Sequence, residues 1–274
     1  MTTMREERAV AGDARQGRQA QRQREITEAV MAAGAVRIED LATRFDISVM
    51  TVHRDLDELE GRGLLRKSRG VATALSSALV ESSDVYRASR QLAEKEAIAH
   101  AALDFIETGQ AIMLDDSTTT LHLLPHLAPK KPLTVITNTL TIMEELRSAN
   151  GITMLGLGGQ YYNWCSAYMG RITTTTIGSL RADLLVMSMS AISDDVAFHQ
   201  TQETVDVKRA MFESSHRRIL LADHTKFERR ALHAMLPLAQ FDAVIVDTGT
   251  DPVHIDRLRD KGVNVVVARR TSRP

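Results

Sequence analysis

Phe45-Asp46-Ile47-Ser48-Val49-Met50-Thr51-Val52-His53-Arg54-Asp55-Leu56 is the stretch on which the reading of this chain turns. Asp46-Ile47 interrupts one helical spacing, Ser48 supplies an N-cap oxygen, and the residues after it carry a new helix to Gly61. Upstream, Ile38, Leu41, Ala42 and Phe45 recur at helical intervals, and before them Ile26, Ala29, Val30 and Ala33 do the same until Gly34 stops the run. The inward face of the third helix is expected to be Val49, Val52, Leu56 and Leu59. Beyond it, Leu64-Leu65-Arg66-Lys67, a Ser68-Arg69-Gly70 turn and Val71–Ala74 read as a hairpin. Three short helices and a hairpin make a winged helix-turn-helix, expected over residues 21–76.

Winding the third helix at 100° per residue with Val52 inward puts Met50 and Arg54 at the opposite pole, with Thr51 and His53 on the flanks. Such a helix offers its first turns to the major groove of double-stranded DNA, and the arginine fork matches guanine. Arg54 is therefore the expected base reader, with Ser48, Met50, Thr51 and His53 beside it. Asp57, Glu58 and Glu60 would meet phosphate unfavourably, so only the first two turns are expected in the groove. Arg62, Arg66, Lys67 and Arg69 form a basic patch suited to backbone contacts. The plainer reading is a small helical domain with solvated charges.

That asymmetry has to be local, because 34 basic residues against 35 acidic ones leave the 274-residue chain at a formal charge of −1. With 43% apolar and 25% charged residues, the composition is that of a globular protein long enough for two domains. The single cysteine, Cys165, excludes a disulfide framework and fits a reducing compartment, so a cytoplasmic protein is expected. No apolar run approaches the roughly 18 residues of a membrane span. Residues 1–20 read as a disordered polar arm without the apolar core of a secretory signal.

Residues 77–92, serine-rich at their start, read as a linker. From Lys95 onward strand-like runs alternate with helical ones: Ala111–Leu114, Leu133–Thr137, Ile152–Leu157, Leu184–Met189, Arg218–Ala222, Ala243–Val246 and Val263–Ala268, with helices such as Thr139–Arg147 and Glu203–Ser214 between them. This implies an α/β domain over residues 93–270, its mainly parallel sheet covered on both faces. Ligands of such sheets lie beyond the carboxyl ends of the strands. The loops there are polar or small: Asp115-Asp116-Ser117-Thr118-Thr119-Thr120, Thr137-Asn138-Thr139, Gly158-Gly159 and Asp223-His224-Thr225-Lys226. Taken singly, each is as well explained by a helix cap or a tight turn.

Other chemistry has thinner support. His122 and His126, four apart, could hold a metal with Asp115 or Asp116, but Pro125 breaks the spacing, and no metal is expected. Gly156-Leu157-Gly158-Gly159 is not a dinucleotide fingerprint, and no cofactor is expected. No local cations lower the Cys165 thiol. Tyr161, Tyr162, Trp164 and Tyr168 form an aromatic cluster expected to stack on a sugar or on another subunit.

Ile38-Glu39-Asp40-Leu41-Ala42, the Phe45–Leu56 stretch and Leu59-Glu60-Gly61-Arg62-Gly63-Leu64-Leu65-Arg66 closely resemble the helix-turn-helix of the DeoR family of bacterial transcriptional regulators. The family core is Thr-hydrophobic-Arg-Arg-Asp-Leu; here His53 stands for the first arginine and Arg54 keeps the second. The resemblance continues through Lys95-Glu96-Ala97-Ile98-Ala99, Met113-Leu114-Asp115, Ala182-Asp183, Val207-Lys208-Arg209-Ala210-Met211 and Ala222–Phe227, covering about residues 21–250. It implies an effector domain similar in fold to ribose-5-phosphate isomerase that senses sugar phosphates or related compounds. The family's Asp-Ser-Gly-Thr-Thr loop falls on Asp115, Asp116, Ser117, Thr118 and Thr119. Asp116 and Ser117 depart from it, and the added carboxylate calls for compensation by Lys208, Lys226 or Arg209. The implied effector set is completed by Thr137, Asn138, Gly158, Gly159 and Asp183.

The implied function is a regulator, a repressor of a carbohydrate operon, acting as a homodimer or homotetramer because each chain has one reader. The rivals are a sugar-phosphate isomerase with an accessory helical domain, using Asp115, Asp183 or Lys208 as acid and base, and an interaction module without a small ligand.

Overall fold

Apolar residues at helical spacing close the first part of the chain around a small core, while strands with apolar residues on both faces build the second. The computed structural model describes residues 18–30, 33, 35–62, 65–74 and 84–269, and the chain divides into two units, Met1–Ser76 and Ser77–Pro274.

The first unit comprises α1 (residues 18–30), β1 (Ala35–Arg37), α2 (Ile38–Arg44), α3 (Val49–Gly61), β2 (Leu65–Ser68) and β3 (Val71–Ala74). Ile26, Val30, Leu41, Val52, Leu56, Leu59 and Leu65 are removed from water, each contributing about 1.5–3 kcal/mol of transfer free energy. The α2–α3 turn is closed by Phe45 and Ile47 N–H groups donating to Leu41 (3.0 Å) and Ala42 (3.1 Å) carbonyls, with Asp46 at φ +50°, a conformation Asp tolerates. Ser48 Oγ then accepts the Thr51 N–H at 3.2 Å and starts α3. The strands form an antiparallel sheet ordered β1-β3-β2, and Arg69 (φ +49°) and Gly70 (φ +78°) make a two-residue turn matching the twist of the hairpin.

Several expectations are corrected here. Strand β1 escapes a sequence reading because three residues show no usable alternation. Ser68 belongs to β2 rather than to the turn. Residues 18–20 are helical, so the polar arm expected over 1–20 is too long at its end; residues 1–17 lie outside the described residues. Ala33 is exposed, and Val49 at the first turn of α3 is 43% exposed, whereas Gln23 and Thr27 occupy the buried face of α1. The expected linker contains α4 (Asp84–Ala88), and its last residue, Leu92, opens α5 (Leu92–Ala102); residues 77–83 lie outside the described residues.

The second unit continues through β4 (Ala111–Leu114), α6 (Thr118–Leu121), β5 (Leu133–Thr137), α7 (Leu140–Leu146), β6 (Ile152–Gly156), β7 (Gln160–Tyr162), β8 (Ala167–Met169), α8 (Arg171–Gly178) and β9 (Ala182–Ser188). It goes on with β10 (Ala191–Ser193), β11 (Val196–His199), α9 (Gln202–Glu213), β12 (Ser215–Ala222), β13 (His233–Pro237), β14 (Ala243–Asp247), α10 (Pro252–Asp260) and β15 (Val265–Ala268). Seven parallel strands form one sheet in the order β15-β14-β12-β9-β4-β5-β6.

Alternate residues of these strands feed two cores. Ile112, Leu114, Leu184, Val186, Ile219 and Leu221 pack with Ile98 of α5 and Ile142 of α7. Met113, Leu185, Met187 and Leu220 pack on the other face with Ile177 of α8, Met211 of α9 and Leu258 of α10. The antiparallel sheet β10-β11-β13 and the β7-β8 hairpin add pieces whose strands of three to five residues carry too little pattern to be read in advance.

Strand order decides where a ligand can sit. From β4 the chain moves outward through β5 to β6, then returns to the other side of β4 with β9 and proceeds through β12 to β15. The switch point lies between β4 and β9, and the crevice beyond the carboxyl ends of those two strands is where sheets of this kind take a ligand.

Candidate DNA-reading face and effector crevice

On α3 the burial of Val52 and Leu56 turns the opposite pole to solvent: Met50 is 63% exposed and Arg54 is exposed, with Thr51 and His53 half-buried beside them. Ser48 and Thr51 hydroxyls lie 2.9 Å apart, each engaged in the helix cap. Asp55 is held inward: Arg22 of α1 donates to its two oxygens at 2.6 and 3.1 Å, and Gln23 adds a bond at 3.2 Å. This bidentate pair, which raises the Arg22 pKa, fastens α1 to the recognition helix and has no periodic signal in the sequence.

The basic patch is only partly as expected. Arg66 and Arg69 are exposed. Lys67 forms an ion pair with Asp57 while Glu60 accepts its backbone N–H at 3.0 Å, so two acids at the rear of α3 are spent on the hairpin. Arg62 turns away from the patch and donates to Gln23 of α1 at 3.2 Å.

In the second unit Asp115 stands at the switch point. Its Oδ1 accepts the Ser117 N–H at 3.1 Å and the Thr120 hydroxyl at 3.2 Å, and its Oδ2 accepts the Ser188 N–H from the end of β9 at 2.9 Å. Buried Lys208 of α9 donates to Asp115 Oδ2, to Asp116 Oδ1 at 2.9 Å and to the Ser188 carbonyl at 3.2 Å. Burial alone would raise the Asp116 pKa, but Lys208, with His199 and Arg87, holds it down at about 2. Burial likewise works against the Lys208 charge, and the two carboxylates outweigh it and raise its pKa. The compensation expected for Asp116 comes from Lys208; Arg209 spends its guanidinium on the Ala234 and Met235 carbonyls at 2.9–3.2 Å.

Beside this triad lies a cationic pole. Lys95 of α5, buried, donates to Thr118 Oγ1 at 3.0 Å and to the Arg87 carbonyl. Its ammonium is lowered to about 7 by burial first and by neighbouring Lys226 second, with Asp223 opposing. Asp223, at the end of β12, accepts the Thr225 N–H at 3.1 Å; burial raises its pKa, but Lys226, the Thr225 hydroxyl, Arg229 and Lys95 lower it on balance. Lys95, Lys226 and Arg229 thus act together on one carboxylate, Asp223, and Arg87 adds its charge beside Lys95. The sequence reading found Lys226 and missed Lys95 and Arg87, which sit on helices before β4 and reach the crevice only through the packing of α4 and α5.

Other expected effector residues fare differently. Thr119 is buried in α6, Ser117 caps that helix with a 3.3 Å bond from the Thr120 N–H, and Thr137 Oγ1 accepts the Thr139 N–H at 3.1 Å. Asn138 donates to the Tyr168 carbonyl at 2.9 Å, pinning the β7-β8 hairpin over the β5 loop. Asp183 is not in the crevice: it begins β9 and accepts the Ala111 N–H at 2.7 Å, at the amino ends of the strands. Gly159, at φ +153°, is accounted for by packing, since a Cβ there would meet the Met169 carbonyl at 2.7 Å and the Thr173 hydroxyl; Thr173 also donates to the Gly158 carbonyl at 2.8 Å.

His122 and His126 lie not with Asp115 or Asp116 but on Glu96, at 3.0 and 2.6 Å. Burial opposes the charge of Glu96, yet the two imidazoles lower its pKa. Of the aromatic cluster, Tyr162 and Trp164 pack on the unit's own core, while Tyr161, paired with Tyr168 at 5.3 Å, stays 43% exposed. Burial raises the pKa of the Cys165 thiol, so it packs as an apolar residue. Among the described residues no helix is long and apolar enough to cross a membrane.

A winged helix-turn-helix carried with an α/β unit that has a charged crevice at its switch point defines a ligand-responsive DNA-binding regulator. Residues 22–78 match the model of the DeoR-like helix-turn-helix domain and residues 90–248 that of the DeoR C terminal sensor domain. The transcriptional repressor AccR of Agrobacterium fabrum is 33% identical over 84% of this chain and 90% of its own length. The glycerol-3-phosphate regulon repressor of Escherichia coli is 31% identical over 84% of this chain and 91% of its own, and the lactose phosphotransferase system repressor of Lactococcus lactis 30% over 84% and 92%. The chain belongs to the DeoR family, and it is a transcriptional regulator rather than an isomerase with an accessory domain. Among solved structures, ribose 5-phosphate isomerase from Plasmodium falciparum is 14% identical with a TM-score of 0.35, covering 50% of this chain and 52% of its own.

Proposed function

We propose that this regulator represses a carbohydrate operon and responds to a phosphorylated sugar or polyol held in the crevice between β4 and β9. The observation that carries the effector reading is the cationic pole: Lys95 and Lys226, both buried, with Arg229 acting beside them on the carboxylate of Asp223 and Arg87 acting on Lys95. Burial disfavours the charge of Lys95, and Lys226, Arg87 and Arg229 oppose it further, so a phosphate dianion relieves both the mutual repulsion and the loss of hydration. Thr118, already tied to Lys95, adds a hydroxyl at the same place.

At the DNA end, Arg54 reads a base edge with Met50, Thr51 and His53 beside it, Ser48 borders the groove, and Arg66, Lys67 and Arg69 meet phosphates. Two or four chains act together, since one reader spans only a half-site. A coupling of about 1–3 kcal/mol between crevice and reader suffices for severalfold changes in occupancy. The names of the relatives, repressors of sugar-related systems, support this reading.

The test is fluorescence anisotropy of the full chain on DNA flanking its own gene, with and without a panel of sugar phosphates. Release by a phosphorylated member and not by its free sugar is expected, together with loss of that response in Lys226→Met, which still binds DNA. Equal release by free and phosphorylated sugars would overturn the assignment.

A further inference from the structure

Among the described residues, Asp116 Oδ2 on the loop after β4, Asn138 Oδ1 on the loop after β5 and Gln200 Oε1 on the turn after β11, next to His199, which acts on Asp116, are buried side-chain oxygens with no hydrogen-bond partner. Buried acceptors in a folded protein are almost always satisfied, so these three call for a supplier of donors. Lys208 is not that supplier, because its three N–H groups already go to Asp115, Asp116 Oδ1 and the Ser188 carbonyl. Asn138 has committed its own Nδ2 to Tyr168. His199 Nδ1 accepts the Gln200 N–H at 3.1 Å, so that ring nitrogen is met by the Gln200 backbone and not by its side-chain oxygen.

The cationic pole borders the same loop, since Thr118, bonded to Lys95, stands two residues from Asp116. One end of the crevice is thus rich in cationic donors, and the other in acceptors, one of them on an ionised carboxylate. Resting on the phosphate reading above, we propose that Asp116 and Gln200 read the hydroxyl groups at the uncharged end of the effector. The sensor therefore takes monophosphates of neutral sugars or polyols and rejects phosphorylated sugar acids of the same length. A hydroxyl donates to Asp116 Oδ2 and Gln200 Oε1, whereas a ligand carboxylate brings only acceptors and a like charge. Asp116 and Gln200 act here as specificity-determining residues. Neither belongs to a pattern found from the sequence as a pair, because Gln200 lies 84 positions further on and arrives through the β11–α9 turn.

Calorimetry on the full chain with matched pairs tests this: glycerol phosphate against phosphoglycerate, ribitol phosphate against phosphoribonate, glucitol phosphate against phosphogluconate, each phosphorylated at the end remote from the carboxylate. In at least one pair the wild type is expected to bind the polyol phosphate about tenfold or more tighter than the acid. Asp116→Asn, which keeps an oxygen for Lys208 but turns a donor toward the ligand, and Gln200→Leu should each bring that ratio close to one. Lys226→Met should weaken both members alike. A wild-type ratio near one or reversed, or a ratio that neither variant moves, overturns the proposal while leaving the phosphate pole intact. If no pair binds, or if Lys226→Met changes nothing, the phosphate reading itself falls and this one with it. Should Asp116→Asn unfold, Gln200→Leu alone decides.

Discussion

Arg54 and Lys67 were both cations on a string, and their surroundings separate them. Arg54 is exposed opposite Val52, while Lys67 is paired with Asp57 and must exchange that partner for a phosphate. Arg54→Ala is expected to abolish sequence-specific binding. Lys67→Ala should weaken specific and non-specific binding alike and lower the salt slope by about one unit. Anisotropy titrations across a salt series check both, and wild-type operator affinity in Arg54→Ala would reject the assigned face of α3. Lys95 makes a prediction about protons. Its pKa falls from an ordinary 10.5 to about 7 in the folded chain, so between those values the unfolded state binds more protons, and this group's contribution to stability rises with pH. Below about 7 that contribution is at its most unfavourable. A phosphate beside Lys95 restores the proton, so effector binding above that pH takes up protons, and its affinity declines as pH rises. Calorimetry at about pH 8 in two buffers of unlike ionisation enthalpy measures the uptake. Identical heats in the two buffers would refute it, and Lys95→Met should abolish the difference.

Helices and strands here are held to each other by groups that a periodicity search passes over. The Arg22–Asp55 pair ties α1 to α3, with Asp55 at 1% exposure. Arg22→Ala leaves that carboxylate, among the described residues, with Gln23 as its one remaining side-chain partner and is expected to cost about 1–3 kcal/mol in urea unfolding of the first unit, read as a lowered midpoint at unchanged slope. An unshifted midpoint would mean that the pair contributes nothing net to the first unit. Gly159 does the same work between β6, β8 and α8 through absence of a side chain. Gly159→Ala should destabilise the second unit by about 1–3 kcal/mol, given its φ of +153° and the carbonyl 2.7 Å from where a Cβ would fall. Wild-type melting combined with loss of effector binding would instead return Gly159 to the ligand.

At the scale of the whole molecule the prediction concerns avidity. A fragment ending near residue 76 should keep the contacts of α3 yet bind operator more weakly than the full chain, because the second unit supplies the association that lets two readers act on two half-sites. Anisotropy of both species at one salt concentration tests it, and equal affinities would remove that role from the second unit.

The winged helix-turn-helix was legible because its helices are amphipathic and short, so the positions of Ile26, Leu41, Val52 and Leu56 in the sequence already state which faces meet. The seven parallel strands were legible for a related reason: strands buried on both faces read as mainly apolar runs, unbroken in Ala243–Val246. Polar loops at their carboxyl ends followed from the same alternation, and so did the candidate status of Asp115, Asp116 and Lys226. What only the tertiary structure decided is which polar residues converge. Asp183 and Asp115 both flank apolar strands, yet the direction of the chain puts one at the amino edge and the other at the switch point. Lys95 reaches Thr118, and Arg87 and His199 act on Asp116, from helices and turns elsewhere in the sequence, through contacts that leave no local trace. Local pattern is set by which side of an element is buried; the site is set by which elements become neighbours, and that depends on strand order, a property of the folded sheet alone.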